Sequence, residues 1–383
     1  MNNPTIVVIA YNRTVSLRRL LYSLNSAIYP SEVRLIISVD YSGTDEVYNE
    51  AKAFEWKYGE KKIISHKKRL GLKEHILCCG DLVYEYENII MLEDDLYVSP
   101  YFYLFSLQAL NYFNNDDRIA GISLYSHKLN VNTRFPFMPI EDGSDIYFLQ
   151  FASSWGQVLN KNQWNLFRHW YYKDNGIFDE RNGLPEFVNN WPKTSWLKYF
   201  NKYLVEKNKY FVYPRISLTT NFNDTGTHQR TKADNLFQIN LLIGARSFSF
   251  KKLNDSISIY DSHFEIIPEI VKKLYTPLKE FNFSMNLNCT KTNNQIKTDY
   301  VISIFKPQKY LFKWGMRLKP PELNIIMNIC GEEIFLFSKK EFEKKYKRFK
   351  IPNGELFLYY YRMPKIKELI FFINKKLKNR IYV

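Results

Sequence analysis

Three consecutive acidic residues, Glu93, Asp94 and Asp95, are the part of this sequence best suited to chemistry. They follow residues 88–92, an apolar run typical of a buried strand. Carboxylates this close raise one another's pKa, and a divalent cation relieves their repulsion. Mn²⁺ and Mg²⁺ prefer such oxygens and often share them with a diphosphate. The cluster therefore predicts a metal site for a phosphorylated substrate; the alternative is an acidic turn before the helix that follows Pro100.

Two further polar residues stand at predicted strand ends. Arg13 follows the β-branched run of residues 5–10, and Asp40 follows the strand predicted at residues 33–39. Open α/β sheets bind ligands beyond the carboxyl ends of their strands, so we expect both residues beside the acidic cluster. Taken singly, each has an ordinary alternative, a surface residue at a helix start for Arg13 and a turn residue for Asp40.

The first 130 residues alternate between strand and helix patterns. Apolar runs predict strands at residues 5–10, 33–39, 62–65, 88–92 and 119–124, and helical spacing predicts helices at 14–24, 44–58, 71–86 and 101–113. This alternation predicts an α/β fold with a mostly parallel sheet flanked by helices.

The chain divides into a predicted domain of residues 1–265 and a C-terminal α+β region of residues 266–383. The domain has a ligand-binding half, residues 1–130, and a loop-rich half, residues 131–265, where acceptor-binding surfaces are usually built. In the C-terminal region, residues 300–305 and 324–329 have strand patterns.

Composition limits the class of protein. The 383 residues carry a net charge of +15, and 45% of them are hydrophobic, which suffices for a large core. No apolar run approaches the roughly 20 residues of a membrane span, and residues 1–4 lack a signal-peptide pattern. Four cysteines without a CxxC motif predict neither a disulfide framework nor a zinc site. We therefore expect a cytoplasmic protein.

The positive charge is concentrated near the C-terminus, where residues 331–383 hold 14 Lys and Arg against 6 Asp and Glu. Such a region suits an anionic membrane surface or a polyanionic ligand; the alternative is a solvated basic surface. Nucleic acid is disfavoured as a partner because no nucleic-acid-binding module accompanies the charge.

Residues 5–261, roughly two thirds of the chain, resemble bacterial GT-A glycosyltransferases related to the eukaryotic N-acetylglucosaminyltransferase I group. The matching segments are Ile9-Ala-Tyr-Asn-Arg-Thr14, Ser38-Val-Asp-Tyr-Ser-Gly43, Gly71-Leu72, Leu92-Glu-Asp-Asp-Leu-Tyr-Val-Ser-Pro100, Ala152-Ser-Ser-Trp-Gly-Gln157, Trp191-Pro-Lys193 and Tyr213-Pro214. The acidic segment is the most specific, and the others occur in the family's order. The resemblance implies a GT-A, Rossmann-like fold.

The resemblance also implies roles for individual residues. Arg13 and Asp40 match positions that contact the nucleotide, with Asp40 facing the uracil ring. Glu93 matches a residue near the transferred sugar, Asp94 one near the ribose, and Asp95 the ligand of Mn²⁺ or Mg²⁺.

The catalytic base is not implied as clearly. An inverting enzyme needs a carboxylate to deprotonate the acceptor hydroxyl. In the family it follows the segment matched by residues 191–193, but residues 194–199 contain no acid here. Glu186 and Asp224 are the candidates, with Asp179 a weaker one.

Two further features suit ligand binding. Residues 219–228 form a polar segment able to wrap a diphosphate, and His228 could contact phosphate or be a second metal ligand, as in several GT-A families. Its alternative is a polar connector to a helix that starts at Ala233. Trp155 and Trp196 are candidate platforms for a sugar ring, although buried tryptophans more often serve packing.

These features predict a metal-dependent, inverting transfer of a sugar from a UDP-sugar to a glycan or lipid-linked glycan. Bacterial surface polysaccharide assembly, of capsule or lipopolysaccharide, is the expected setting, with the basic region at the inner face of the plasma membrane. One alternative is a nucleotidyltransferase, although residues 11–14 lack the glycine-rich phosphate loop of that class. A non-catalytic glycan- or polyanion-binding protein is the other.

Overall fold

The computed structural model of the chain describes residues 3–222, 224, 236–346 and 353–361. The strands are β1 Thr5–Ala10, β2 Leu35–Val39, β3 Lys61–Ser65, β4 Asn88–Glu93, β5 Leu96–Val98, β6 Ile119–Ser123, β7 Ile146–Leu149, β8 Gln157–Asn160, β9 Tyr210–Pro214, β10 Thr219–Asn221, β11 Ile259–Tyr260, β12 Phe283–Asn286, β13 Tyr300–Ser303, β14 Phe312–Trp314 and β15 Ile334–Ser338. The helices are α1 Thr14–Asn25, α2 Glu46–Ala53, α3 Leu72–Asp81, α4 Val83–Tyr86, α5 Phe102–Phe113, α6 Lys161–Lys173, α7 Glu186–Asn189, α8 Trp196–Glu206, α9 Pro268–Leu274, α10 Leu323–Ile326, α11 Lys339–Tyr346 and α12 Asn353–Tyr360.

The main sheet has nine strands in the order β11-β7-β9-β6-β8-β4-β1-β2-β3. Strands β3, β2, β1 and β4 are mutually parallel, as the alternation of strands and helices predicts. Beyond β4, strand β8 is antiparallel to both of its neighbours, and β7 is antiparallel to β9. The predicted α/β class is confirmed, with a parallel half that carries the polar strand ends.

The parallel half is buried on both faces of the sheet. Every residue of β1 and β2 is buried, as expected for continuous apolar runs. The leucines of α1 at positions 17, 20, 21 and 24 are also buried, which confirms the helical spacing. A sheet fixed in this way holds its strand ends rigidly, and those ends carry the candidate site.

Three predicted elements differ from the structure. Helix α2 ends at Ala53 rather than residue 58, because the indole of Trp56 turns back and donates a hydrogen bond to Val33 O at 2.7 Å. The predicted helix of residues 71–86 is divided into α3 and α4 at Leu82.

The predicted strand at residues 324–329 is wrong, because helix α10 begins at Leu323. Two prolines start the turn, since the amides of Leu323 and Asn324 donate to Pro320 O and Pro321 O. The Asn324 side chain then accepts from the amides of Arg317 and Leu318, which fixes the loop around it.

A second sheet follows the predicted boundary at residues 265–266. Its strand order is β12-β13-β15-β14, and α11 packs against β15. We call residues 266–346 and 353–361 the C-terminal region. It is tied to the preceding part by the hydroxyl of Tyr260, which donates to Glu322 Oε1 at 2.8 Å, and by the ion pair of Lys291 with Asp261 at 2.6 Å.

Across the described residues, no helix combines the length and the hydropathy that crossing a membrane requires.

Replacing Gly80 with alanine should lower the free energy of unfolding by about 2 kcal/mol or more. Gly80 lies within α3, and a Cβ there would stand 2.0 Å from Cζ2 of the buried Trp164. Trp164 cannot move freely, since its indole nitrogen donates to Asp81 Oδ1 at 2.8 Å. The clash should outweigh the roughly 1 kcal/mol that alanine gains in helix propensity. Thermal unfolding would measure the loss.

Gly244→Ala is the matched control, because a Cβ at Gly244 meets no atom within 4 Å. Equal stability of the Gly80 and Gly244 variants would contradict the close packing of α3 on α6.

Replacing Glu322 with glutamine should stabilise the protein at pH 8 but not at pH 4. Burial raises the pKa of Glu322 to about 7, whereas an unfolded chain has a glutamate pKa of about 4.3. Between these values the folded state keeps a proton that the unfolded state releases, so stability falls as pH rises. Glutamine removes this titration and still accepts from Tyr260. The gain should reach up to about 3 kcal/mol at pH 8, measured by denaturant unfolding across pH.

The exposed Glu280 supplies the control, since Glu280→Gln should leave the pH profile of stability unchanged. Parallel profiles for wild type and Glu322→Gln would contradict the prediction.

Candidate functional site

The candidate site lies at the carboxyl edge of the parallel strands. The amide of Asp94 donates to Ile9 O and the amide of Asp40 to Ala10 O, both at 3.0 Å. These bonds tie the ends of β4 and β2 to the end of β1. The sheet therefore brings the acidic cluster to the loop that carries Arg13.

Arg13 forms ion pairs with two of the three acidic residues. Its Nη1 lies 2.9 Å from Asp95 Oδ2, and its Nη2 contacts Asp94 Oδ1. Burial opposes the charge on Arg13, but Asp94 and Asp95 together raise the pKa of its guanidinium. A fixed cation thus stands between two carboxylates at the strand ends.

Burial raises the pKa of both Asp94 and Glu93, but only Glu93 holds its proton near neutral pH. Burial raises the pKa of Asp94 to about 6, although Arg13 and the amide of Tyr11 stabilise its anion. Burial, followed by the charges of Asp95 and Asp94, raises the pKa of Glu93 well above its usual range. Glu93 therefore tends to remain protonated near neutral pH and can donate a hydrogen bond.

Asp40 is 3% exposed and accepts three backbone hydrogen bonds. The amides of Tyr41 and Leu70 donate to Oδ1 at 2.9 and 2.8 Å, and the amide of Gly71 donates to Oδ2 at 3.0 Å. Asp40 thereby fixes the loop of residues 66–71, which joins β3 to α3. Its predicted contact with a uracil ring stays a prediction.

The candidate bases occupy different surroundings. Asp224 accepts from Ser16 Oγ at 2.6 Å and pairs with Arg19, both on α1. Although burial opposes ionisation, these bonds lower the pKa of Asp224, and the charge of Arg13 also contributes. Glu186 is exposed at the start of α7, and Asp179 is ion-paired with Arg181 at 2.5 Å. Of these three candidate bases, Asp224 is the one that these contacts place against α1, the helix that follows Arg13.

The family model for Glycosyl transferase family 2 matches residues 5–167. The match contains β1 to β4, Arg13 and the whole acidic cluster. Residues 5–167 are therefore similar to a glycosyltransferase domain. The mostly parallel sheet with flanking helices agrees with the GT-A fold that the sequence predicts.

Solved structures similar to this chain include a mannosyltransferase, PcManGT from Pyrobaculum calidifontis, in complex with GDP-Man and Mn²⁺. It is 11% identical with a TM-score of 0.33, over 44% of this chain and 46% of that one. Residues 1–349 of S. aureus TarS are 14% identical with a TM-score of 0.34, over 56% of this chain and 59% of that one. A longer TarS structure is 12% identical with a TM-score of 0.33, over 56% of this chain and 36% of that one.

The chain thus spans between about a third and three fifths of the length of the solved structures it matches. TM-scores this low do not establish a shared fold. The likeness of this chain to glycosyltransferases therefore rests on the family model and the sheet topology. No protein of curated function matches the sequence.

The acidic cluster of residues 93–95 fits a divalent cation. Asp95 Oδ1 is buried and has no hydrogen-bond partner, whereas its Oδ2 is bonded to Arg13. Over residues 3–222, 224, 236–346 and 353–361, no three His, Cys, Asp or Glu side chains converge as a metal site. That pattern agrees with a cation that takes one or two protein carboxylates and completes its shell with phosphate and water. His228 lies outside the described residues.

The two tryptophans predicted as sugar platforms differ in exposure. Trp155 is partly exposed, and its ring lies 4.5 Å from that of Tyr125 and 5.3 Å from that of Phe237. Trp196 is 2% exposed, which excludes it as a platform. Trp155 is thus held by aromatic neighbours and keeps a face for a ligand.

Two residues near those predicted to contact the nucleotide, Tyr11 and Arg69, were not identified from the sequence. The guanidinium of Arg69 lies 5.0 Å from the ring centre of Tyr11, which follows β1. Arg69 belongs to the loop that Asp40 fixes. The signal was available, because Lys67, Lys68 and Arg69 form a basic run directly after the third predicted strand.

Proposed function

We propose that this chain is a glycosyltransferase that transfers a sugar from a UDP-sugar to a hydroxyl group of a glycan or lipid-linked glycan, with inversion. One observation carries the proposal. Arg13 bridges Asp94 and Asp95 at the carboxyl edge of the sheet, and Asp95 keeps one buried oxygen free of any partner. Together they offer a cationic group and an oxygen ligand to a diphosphate and its metal ion.

The donor diphosphate is proposed to lie against Arg13 and Asp95. Arg13 carries a permanent positive charge beside Asp95, and a guanidinium binds phosphate oxygens in a bidentate manner. Asp95 would hold Mn²⁺ or Mg²⁺, whose charge would stabilise the leaving diphosphate. Asp94 is buried beneath them and keeps Arg13 oriented.

The nucleoside is proposed to lie between Tyr11 and the loop of residues 66–71. Tyr11 offers an aromatic face, and Arg69 already stacks on it. Asp40 sets the path of this loop and is proposed to face the base. The preference for uracil follows from the resemblance to the N-acetylglucosaminyltransferase I group. We also propose that this chain is related to that group.

The transferred sugar is proposed to contact Glu93 and Trp155. Glu93 holds a proton because of its raised pKa, so it can donate to a sugar hydroxyl. Trp155 offers a partly exposed ring held from behind by Tyr125. Glu93 and Trp155 lie near one another, because Ser154, the residue before Trp155, hydrogen-bonds to Glu93.

Asp224 and Glu186 are proposed as the alternative catalytic bases. Asp224 is ionised because its pKa is lowered, and a base must be ionised to accept the hydroxyl proton. Its bonds to Ser16 and Arg19 would have to loosen, however, whereas Glu186 is exposed and free to approach an acceptor. Loss of kcat in one variant, without loss of nucleotide affinity, would identify the base.

Surface polysaccharide assembly at the inner face of the plasma membrane is the proposed setting. The net charge of +15 and the basic residues after position 331 would favour an anionic leaflet that presents a lipid-linked acceptor.

The proposal is tested by donor hydrolysis. The full chain is incubated with Mn²⁺ and a panel of UDP-, GDP- and dTDP-sugars, and release of the free nucleotide is measured. We expect slow release from at least one UDP-sugar, which EDTA abolishes. Release from GDP- or dTDP-sugars alone would overturn the UDP assignment. No release from any donor, together with no metal-dependent nucleotide binding, would overturn the proposal.

A further inference from the structure

A cavity of about 420 Å³ lies between the catalytic half of the chain and the C-terminal region. Its walls include Lys128, Phe137, Met138 and Tyr147 from the former and Lys319 and Leu323 from the latter. None of the residues placed in the donor site lines it. The cavity is therefore a second pocket, and it is completed by the packing of the C-terminal region.

Two lysines that line this cavity have hydrogen-bonding capacity to spare, although the Lys319 ammonium also lies 5.5 Å from the ring centre of Tyr359. Lys128 Nζ donates to Arg215 O at 2.8 Å, and Lys319 Nζ donates to Tyr360 O at 3.3 Å. Within the described ranges, neither has a carboxylate oxygen within 4 Å. An ammonium carries three N–H donors, so both lysines can still bind an anion.

The other charges of the cavity are committed elsewhere. Arg215 donates to Ser144 O and Ile140 O, both at 2.8 Å, and to Asp142 Oδ1 at 3.1 Å. Glu141 pairs with Arg215 at 3.3 Å and its side chain is 80% exposed, so it is directed toward solvent. The remaining positive charge of the cavity therefore belongs to Lys128 and Lys319.

This arrangement selects among anions. A lysine acts as a point charge and binds phosphate well, whereas a planar carboxylate is matched best by the fork of an arginine. Because the arginine here donates four hydrogen bonds within the protein while each lysine donates one, the cavity favours a phosphate group.

The rest of the cavity is apolar. Phe137 is held in place by the rings of Tyr147, Tyr260 and Phe264, whose centres lie 5.8, 5.0 and 4.9 Å from its own. Phe137 is itself buried, but the adjacent Met138 also lines the cavity and is 41% exposed, so its side chain offers an apolar surface to a sugar ring. The cavity volume is within the roughly 300–1,000 Å³ of small-molecule sites, which commonly lie between domains.

We propose that this cavity binds a sugar phosphate. Lys128 and Lys319 hold the phosphate, and Met138 packs against the sugar ring. The site is distinct from the donor site but close to it, because Tyr125 and His127 contact Trp155 while the alternate residues Ser126 and Lys128 line the cavity.

Calorimetric titration of the full chain with glucose 1-phosphate tests the proposal. We expect saturable binding, weakened at least tenfold in both Lys128→Gln and Lys319→Gln. Lys279→Gln is the matched control, since Lys279 is an exposed lysine outside the cavity and should have no effect. Asp95→Ala should bind the probe as the wild type does, because the donor site is not involved.

Other probes separate the contributions of the phosphate and the ring. Neutral glucose and inorganic phosphate should each bind at least tenfold more weakly than glucose 1-phosphate. If glucose bound as tightly as glucose 1-phosphate, the proposed role of the lysines would be wrong. If inorganic phosphate bound as tightly as glucose 1-phosphate, the proposed role of the apolar wall would be wrong. Absence of binding, or binding that Lys128→Gln leaves intact, would overturn the site. Loss of binding in Asp95→Ala would assign the probe to the donor site instead and overturn the proposal.

Discussion

Asp95→Asn should lower metal-dependent nucleotide release about 10³-fold. Asp95 Oδ1 is the buried oxygen without a partner, so we assign to it the divalent cation that the donor diphosphate shares. Such a cation contributes several kcal/mol to the stabilisation of charge in the transition state, and each 1.36 kcal/mol corresponds to a factor of ten in rate. The initial rate of nucleotide release, measured at saturating Mn²⁺, gives the effect.

The matched control for this substitution is Asp255→Asn. Asp255 is exposed and far along the chain from the cluster, so its replacement should leave the rate unchanged. Both variants should unfold at the temperature of the wild type, because asparagine can still accept a hydrogen bond from Arg13. A rate for Asp95→Asn within threefold of the wild type would exclude Asp95 as the ligand.

Lys202→Ala should be the most destabilising of the charge substitutions considered. The Lys202 ammonium pairs with Asp174, and their side chains are 3% and 5% exposed. Glu206 lies 3.7 Å from the same ammonium, and the ring of Phe178 lies 5.1 Å away. Truncation leaves the buried Asp174 carboxylate without a counter-charge, which costs about 3–5 kcal/mol. We expect Tm to fall by roughly 10 °C in thermal unfolding.

Two comparisons show whether the loss comes from the unpaired charge. Arg18→Ala removes a surface pair with Glu50 in which Arg18 is 65% exposed, and it should change Tm far less than Lys202→Ala does. Lys202→Met combined with Asp174→Leu removes both charges and should recover most of the stability. A double variant as unstable as Lys202→Ala would show that packing, not charge, dominates.

The parallel half of the sheet could be predicted from the sequence. Residues 5–10 and 88–92 are apolar without interruption, as strands covered on both faces must be. Once those strands are parallel, their ends meet at one edge, and Arg13 had to lie near Asp94 and Asp95. The apolar pattern of these strands, together with the rule that parallel strands end at one edge of a sheet, was sufficient to predict this part of the site.

The remaining features depend on contacts that no local pattern contains. The hydrogen bonds from Leu70 and Gly71 to Asp40 span 30 residues and depend on the path of a loop. The short apolar run after Leu323 suits a strand or a helix equally, and the turn at Pro320 decides it. Residues 131–265, the half predicted to bind an acceptor, include Glu186 and consist of short elements between long loops. Hydrophobic periodicity predicts little about the structure of such segments.

The contact of Gly80 with Trp164 also bears on how relatives of this protein can diverge. Their side chains compete for one volume between α3 and α6, so a larger residue at position 80 requires a smaller one at position 164. We therefore expect the two positions to covary, with glycine opposite tryptophan and alanine or serine opposite a smaller aromatic or aliphatic residue. A set of related sequences, once aligned, would then record this helix–helix contact without any structure.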